Sequence, residues 1–215
     1  MLDHKTVSLA DQVYEQLEVD ILSGKYLRGE VLTENKISET LGVSRTPVRE
    51  ALHRLAGEHI IEETARGCVV VGINKDDLRD IYEIRCVTEG MAAARAAERI
   101  THEEIAKLKE LIDLQEFYAA KKDADHIKMV DNEFHELIYR YSGSNVLYST
   151  LMPLHKKIQK YRKAAVENEI RAEKSFEEHN AILNALIKGE KELAYEKMTE
   201  HVRNAYAHIM EKENS

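Results

Sequence analysis

The apolar residues in the first third of the chain recur at helical spacing in two segments. Over Leu9–Leu22 they form one stripe, followed by Ser23 and Gly24, and this pattern predicts an amphipathic helix. A loop over residues 26–31 separates that helix from a shorter stripe after Thr33, a residue type that often caps a helix N-terminus. The two apolar faces consist of Val13, Leu17 and Ile21, and of Leu32, Ile37 and Leu41.

A turn and a third helix follow in residues 41–56, LGVSRTPVREALHRLA. Gly42 ends the preceding helix, and Ser44 with Pro47 is typical of a cap and first helical turn. Two helices joined by a glycine-containing turn predict a helix-turn-helix, whose second helix enters the major groove of DNA by its N-terminal end. The apolar face of this third helix consists of Val48, Ala51, Leu52 and Leu55.

The first turn of the third helix carries polar side chains suited to reading DNA. Arg45 and Arg49 are four residues apart and share a face, and each guanidinium could bind guanine bidentately or contact a phosphate. Ser44 and Thr46 could reach phosphate oxygens or a thymine methyl group. Two arginines could also lie on a purely solvated face, but their combination with the turn, the cap and the apolar stripe favours DNA binding.

A hairpin is predicted after the third helix. Ile60 and Ile61 begin an extended run, residues 62–66 are predicted as a turn that Gly67 follows, and residues 68–71 form a β-branched return strand. This hairpin would be the wing of a winged helix. Arg66 beside Gly67 could enter the minor groove, although a solvated turn residue is nearly as good an interpretation.

The run LTENKISETLGVSRTPVREALHRLAGEHII resembles the DNA-binding signature of the GntR family of bacterial transcription regulators, which contains L-G-V-S-R-T-P-V-R-E-A-L. The resemblance implies that Arg45, Thr46 and Arg49 contact operator DNA, and it favours a DNA contact at the wing. Asn35 departs from the family, because many members carry Arg at the matching position.

Helical patterning resumes after a predicted linker at residues 72–75 and continues to the end of the chain. Residues 1–71 are therefore assigned to a winged helix-turn-helix domain and residues 76–215 to an antiparallel all-α bundle, so that the fold class is mainly α. Six helices are predicted in the bundle, at residues 76–99, 101–121, 123–141, 145–166, 170–188 and 190–212. The predicted apolar face of the first consists of Ile81, Ile84, Val87 and Ala92, with Arg85 near its edge.

Four polar residues interrupt the apolar stripes of the bundle. Asp131 and His135 are four residues apart on the third bundle helix, and His179 and His201 lie in the stripes of the fifth and sixth helices. Each histidine alone is best interpreted as a hydrogen-bonded core residue. Burying all four unpaired would be costly, so the set predicts a shared divalent cation, with zinc or nickel favoured by three imidazoles and a carboxylate.

This set also resembles the metal-binding form of the FCD-type effector domain in the FadR branch of the GntR family, in which D-x-x-x-H is completed by two later histidines. The predicted count of six helices places the domain nearer the VanR-like group. The resemblance implies that Arg85 lines the effector cavity, where it would bind a carboxylate bidentately. An interhelical salt bridge of Arg85 to a glutamate is an equally good interpretation, and Tyr161 and Arg162 are weaker pocket candidates.

Composition limits the function classes. The chain has 31 Lys and Arg against 39 Asp and Glu, a formal net charge of -8, which does not fit a protein that coats DNA in bulk. Two cysteines make neither a disulfide framework nor a CxxC clip, so a reduced, cytoplasmic protein is expected. Without an apolar targeting segment or 18 consecutive apolar residues, we expect neither secretion nor membrane insertion.

Together these patterns predict a homodimeric transcription regulator, not an enzyme, that binds double-stranded operator DNA and responds to a small carboxylate effector bound with a divalent metal. The helical domain would bind the effector and form the dimer. Two rivals remain: a metal-dependent hydrolase, and a regulator whose bundle serves only to dimerise.

Overall fold

The computed structural model describes residues 8–158 and 169–213 of the 215-residue chain. The chain divides into two compact units between Lys75 and Asp76. The described part contains nine helices and three short strands, so the predicted fold class, a winged helix-turn-helix followed by a helical bundle, is confirmed. No helix in this part is both long enough and apolar enough to span a bilayer.

The first unit combines three helices with a three-stranded antiparallel sheet in the order β1-β3-β2. Strand β1 pairs with β3 through Val31 opposite Val69, and it lies at the end of the segment that the sequence predicts as a loop. Two residues are too few to show strand periodicity, so the sequence pattern misses it. The elements are α1 (Leu9–Leu22), β1 (Val31–Leu32), α2 (Glu34–Leu41), α3 (Arg45–Gly57), β2 (Ile61–Thr64) and β3 (Gly67–Val70).

The caps at both ends of α2 form as the sequence predicts. The Thr33 side chain accepts a hydrogen bond from the Lys36 backbone N–H and caps α2, and Gly42 ends that helix in the left-handed conformation with φ of 66°. The apolar residues predicted for α1, α2 and α3 pack together in one core, although Leu32 belongs to β1 and not to α2, because it precedes the cap at Thr33. This core fixes α3 so that its opposite, polar face is exposed.

The wing differs in detail from its prediction. Strand β2 continues to Thr64, so only Ala65 and Arg66 form the turn, and not residues 62–66. Gly67 is the first residue of β3, where a Cβ atom would lie 2.6 Å from the Leu32 carbonyl oxygen. Glycine is therefore required there by the close approach of β1, whatever its relation to DNA.

The second unit contains six described helices joined by connections of two to four residues wherever both ends are described, which makes successive helices antiparallel. Helix α5 packs on α6 and α8, and α8 packs on α9. The helices are α4 (Lys75–Ala97), α5 (His102–Ala120), α6 (Ala124–Tyr141), α7 (Asn145–Lys157), α8 (Glu169–Lys188) and α9 (Lys191–Glu213).

Helix α7 ends earlier than predicted. It stops at Lys157 with Ile158 as its C-cap, whereas the apolar pattern extends it to residue 166. The rest of that prediction, with the pocket candidates Tyr161 and Arg162, lies outside the described residues.

The apolar face predicted for α4 is partly wrong. Ile84 and Val87 are 47% and 52% exposed, while Tyr82, Arg85 and Glu89 point into the bundle and are buried. Helix α4 thus has apolar residues on two sides, and periodicity alone could not tell which side faces this chain's own core.

Candidate functional site

The four candidate metal ligands converge in the interior of the second unit. Asp131 and His135 lie one turn apart on α6, His179 lies on α8 and His201 on α9. All four are buried, and one ligand atom from each lies within 4.8 Å of the corresponding atoms of the others. The structure therefore brings together the set that the sequence singled out.

The spacing of the ligand atoms matches the edges of a coordination polyhedron. The Nε2 atoms of His135 and His201 are 3.2 Å apart, and His179 Nε2 lies 3.5 Å from Asp131 Oδ1. Two nitrogens that are both about 2.0–2.1 Å from one metal ion lie about 2.8–3.0 Å apart in octahedral geometry and about 3.3–3.4 Å apart in tetrahedral geometry. Both measured distances are close to these values, and all four ligand atoms lie within 4.8 Å of one another, so the cluster could hold one divalent cation.

A second layer of side chains orients the three imidazoles. The Nδ1 atoms of His135, His179 and His201 lie 2.7–2.8 Å from oxygen atoms of Glu89, Gln115 and Glu178, respectively. A carboxylate can only accept, so Nδ1 of His135 and of His201 carries the proton and donates it. When both rings are neutral, their Nε2 lone pairs face each other, an arrangement that a cation between them stabilises.

Two buried arginines balance the outer carboxylates. Arg85 Nε donates to Glu89 Oε1 at 2.6 Å, and Arg171 Nη2 donates to Glu178 Oε2 at 2.8 Å. Burial raises the pKa of the Glu89 carboxyl, but Arg85 and His135 outweigh burial and hold that pKa well below its usual range. Burial opposes ionisation of Glu178 too, yet His201 and Arg171 lower its pKa. Both carboxylates are therefore ionised acceptors for the histidines.

The predicted effector residue Arg85 lies beside this layer. Arg85 forms an ion pair with Glu89, one turn away on the same helix. The alternative prediction, a salt bridge between two helices, is therefore wrong. Arg85 Nη1 is buried, and it has no hydrogen-bond partner within residues 8–158 and 169–213. A donor of this kind is available to an anionic ligand.

Sequence reasoning missed the outer layer and a fourth buried histidine. Glu89 follows Arg85 by four residues, a spacing that signals a helical ion pair. Gln115 and Glu178 carry no comparable signal, because their role depends on which helix packs opposite. His155 lies near His135, with its ring centroid 5.8 Å away, and its Nδ1 and Nε2 atoms contact Tyr139 Oη and Asn132 Oδ1 at 3.3 and 2.9 Å.

The candidate DNA-binding residues lie on the first unit. Ser44, Arg45, Thr46 and Arg49 are all exposed at the N-terminal end of α3. Ser44 occupies the N-cap position but makes no side-chain cap hydrogen bond, which leaves its hydroxyl available. Arg66 is exposed at the turn of the wing, where Gly67 is only partly buried.

One carboxylate binds both Arg45 and Arg49 of α3. Glu34, the first residue of α2, accepts hydrogen bonds of 2.7–3.1 Å from Arg45 and from Arg49. The Asn35 side chain next to it is exposed. The exposed surface at this end of α3 thus carries two cations, one anion and two hydroxyl groups.

Two family models match separate parts of the chain. Residues 9–71 match the model described as bacterial regulatory proteins, gntR family, and residues 80–204 match the FCD domain. The second match covers the helices that carry the metal-ligand candidates, and the first covers the helix-turn-helix and wing.

Individual proteins are similar over much of the chain. The gluconate operon transcriptional repressor of Bacillus licheniformis is 33% identical over 142 residues, which cover 65% of this chain and 58% of that repressor. The transcriptional repressor RspR of Escherichia coli strain K12 is 28% identical over 199 residues, 92% of this chain and 87% of its own. The E. coli McbR/YncC structure superposes with a TM-score of 0.80 at 28% identity, covering 96% of this chain and 99% of that one.

Proposed function

The chain belongs to the gntR family of bacterial regulatory proteins and carries an FCD domain, and from this premise we propose that a small organic acid, bound with a divalent metal, modulates its binding to operator DNA. The observation that carries this proposal is the buried cluster of Asp131, His135, His179 and His201, with every histidine oriented by an outer acceptor.

We assign the metal to these four residues and expect zinc or nickel. Three nitrogen donors and one carboxylate suit either ion, and both tolerate additional ligands from water or substrate. A bound cation would supply a positive charge that attracts a carboxylate. Glu89, Gln115 and Glu178 keep the imidazole rings in position, which raises metal affinity.

The effector is proposed to be a carboxylate that contacts Arg85 as well as the metal. Glu89 already occupies Arg85 Nε, so Nη1 is the atom available to the ligand. Binding there would favour one packing of the helices over another, and residues 72–75 join this unit to the DNA-binding unit. Such a difference in affinity between two arrangements is what an allosteric response requires.

Operator binding is assigned to Ser44, Arg45, Thr46 and Arg49 of α3 and to Arg66 and Gly67 of the wing. The arginines would read base edges in the major groove, the hydroxyl groups would contact phosphates, and the wing would lie in the minor groove. Two observations support this assignment. All of these residues except Gly67 are exposed, and they lie in the segment that matches the gntR family model.

A homodimer is proposed to form through the exposed apolar side of α4, which consists of Ile84, Val87 and Met91. If two copies of this helix pack antiparallel about a two-fold axis near residue 87, Ile84 lies against Met91 of the second copy. Asp80 then faces Arg95 of the second copy, so the flanking charges are complementary. Two DNA-binding units would occupy the half-sites of a pseudo-palindrome.

The test is the response of operator binding to metal and carboxylate. A duplex selected from a random library by the protein itself is titrated by fluorescence anisotropy, with and without chelator, zinc or nickel, and a panel of acetate, citrate and gluconate. We expect at least one acid to shift the affinity, only in metal-loaded protein, and His135→Ala to abolish the shift. The exposed His102→Ala is the matched control.

The rival functions predict other results. No shift with any acid in metal-loaded protein would favour a bundle that only dimerises, whereas a shift that survives removal of the metal would contradict the role of the metal in effector binding. Metal-dependent turnover of an ester or phosphate would favour a hydrolase, although the relatives named above are transcription regulators.

A further inference from the structure

The DNA-binding face contains a carboxylate that no DNA-contact assignment uses. Glu34 Oε2 accepts hydrogen bonds from Arg45 Nε and Nη2 at 3.1 and 2.9 Å. Arg49 donates from Nε to Oε1 at 2.7 Å and from Nη2 to Oε2 at 2.9 Å. One side chain of α2 thus binds both candidate reading residues of α3.

The geometry of these bonds leaves each guanidinium able to read a base. Both arginines use the edge formed by Nε and Nη2, and the opposite end of the planar group, with Nη1, is directed away from Glu34. A guanidinium has five N–H donors in a fixed fork, so anchoring one edge sets the direction of the other. Glu34 therefore orients each arginine while leaving both N–H groups of Nη1 and the second N–H group of Nη2 for a guanine.

The shared carboxylate also changes the charge of the surface. Two cations and one anion leave a single positive charge at this end of α3. Hydrogen bonds from Arg49 and Arg45 lower the pKa of Glu34 to about 2, so it stays ionised at any pH used to measure DNA binding. An exposed ion pair of this kind contributes little to folding stability, because water and salt screen it. Its consequence is expected in DNA binding.

We propose that Glu34 is a positioning residue for operator recognition, which holds Arg45 and Arg49 in the orientation that reads bases and reduces binding to non-operator DNA. This inference rests on the proposed assignment of Arg45 and Arg49 to the operator. Free arginines would seek phosphates of any sequence, whereas oriented arginines gain most from correctly placed guanines.

A purely local role for Glu34 makes a different prediction. As the first residue of α2, its negative charge also interacts favourably with the helix N-terminus. Aspartate at this position keeps the charge at the helix end but withdraws the carboxylate by one methylene group. Glu34→Asp therefore separates a contribution to the helix from the positioning of the arginines.

The experiment measures the affinity of the full chain for a selected operator duplex and for a scrambled duplex of equal length and composition, over a series of salt concentrations. The variants are Glu34→Gln, Glu34→Asp, Glu39→Gln and Arg49→Ala. Glu39 is exposed on the same helix, so its replacement alters the net charge equally. Thermal unfolding followed by circular dichroism confirms that each variant is folded.

We expect Glu34→Gln to weaken operator binding about tenfold and to strengthen binding to the scrambled duplex. The slope of log affinity against log salt concentration for the scrambled duplex should become steeper by about one, because one more cation is free to contact phosphate. Glu34→Asp should also lower the ratio of operator affinity to scrambled-duplex affinity. Glu39→Gln should change the affinities for both duplexes by the same factor. An operator-to-scrambled ratio in Glu34→Gln that equals that of wild type or Glu39→Gln overturns the inference, as does full discrimination in Glu34→Asp.

Arg49→Ala separates failure of this inference from failure of the proposed DNA contacts. If Arg49→Ala loses operator binding while Glu34→Gln keeps its discrimination, only the positioning role is wrong. If Arg49→Ala keeps operator affinity, the assignment of the arginines itself is wrong, and the inference is overturned with it.

Discussion

Gly67 has a structural role in the pairing of β1 with β3 that is independent of its proposed contact with DNA. Its φ is 129°, and a Cβ atom added to it would lie 2.6 Å from the Leu32 carbonyl oxygen, so the absence of a side chain permits β1 to pair with β3. A Cβ atom there would both strain the backbone and push two strands apart.

We therefore expect Gly67→Ala to lower the free energy of unfolding by about 2–4 kcal/mol, measured by urea denaturation. Gly57→Ala is the matched control: Gly57 ends α3, and no atom lies within 4 Å of its added Cβ. The control should be neutral or stabilising by up to about 1 kcal/mol. Equal stability of the two variants would contradict this account of the wing.

Arg85 and Glu89 form a fully buried ion pair next to the candidate metal ligand His135. Glu89→Gln leaves the guanidinium buried without a counter-charge, and we expect a loss of about 3–5 kcal/mol in unfolding free energy, measured by urea denaturation in the presence of chelator. Adding Arg85→Met to this variant should restore most of that loss, because no unpaired charge then remains. Glu133→Gln, an exposed change on α6, should be within about 0.5 kcal/mol of wild type. A loss in Glu89→Gln no larger than in Glu133→Gln would contradict the role of the pair.

Site residues could be predicted where their spacing along a single helix indicated them, and not where their role depends on a neighbouring helix. Asp131 and His135 stand four residues apart in an apolar stripe, and His179 and His201 interrupt two others, so their convergence followed from helical periodicity. Glu178 lies next to His179 in the chain yet contacts His201 on another helix. Contacts of that kind depend on helix packing, which one sequence without its fold does not specify.

At the level of elements, the capped helices were the most predictable. Thr33 and Gly42 lie at the two ends of α2. The spacing of Thr101 and Glu104 predicts a capping box, and this box forms at the start of α5. Strand β1 and the end of α7 were missed, because neither has a local signal: β1 exists only through its pairing with β3. The apolar face predicted for α4 is only partly right, because Ile81 and Ala92 are buried whereas Ile84 and Val87 are exposed.

The exposed face of α4 gives a prediction for assembly. Val87→Glu should disrupt the proposed dimer and raise its dissociation constant at least tenfold, because two carboxylates would meet near the two-fold axis. Sedimentation velocity over a range of protein concentrations measures this effect. Val146→Glu is the control, since Val146 is also exposed but lies on α7. A dimer unaffected by Val87→Glu would place the interface elsewhere.

For the whole molecule, the family follows from the motif that spans α2 and α3, and the matches to the gntR and FCD families confirm it. We propose that the cluster of Asp131, His135, His179 and His201, which lies in the part matched by the FCD model, links ligand binding to regulation. A net charge of -8 also agrees with a protein that reads a specific site through a few placed cations.

The most direct test of that link is the metal content of protein purified without chelators, measured by elemental analysis for wild type, His179→Ala and the exposed control His102→Ala. We predict about one equivalent of zinc or nickel per chain in wild type and control, and much less in His179→Ala, because the site loses one of its three imidazole ligands. Wild-type protein that contains no metal and takes up none from added zinc or nickel would contradict the account and leave the cluster as a polar network in the core.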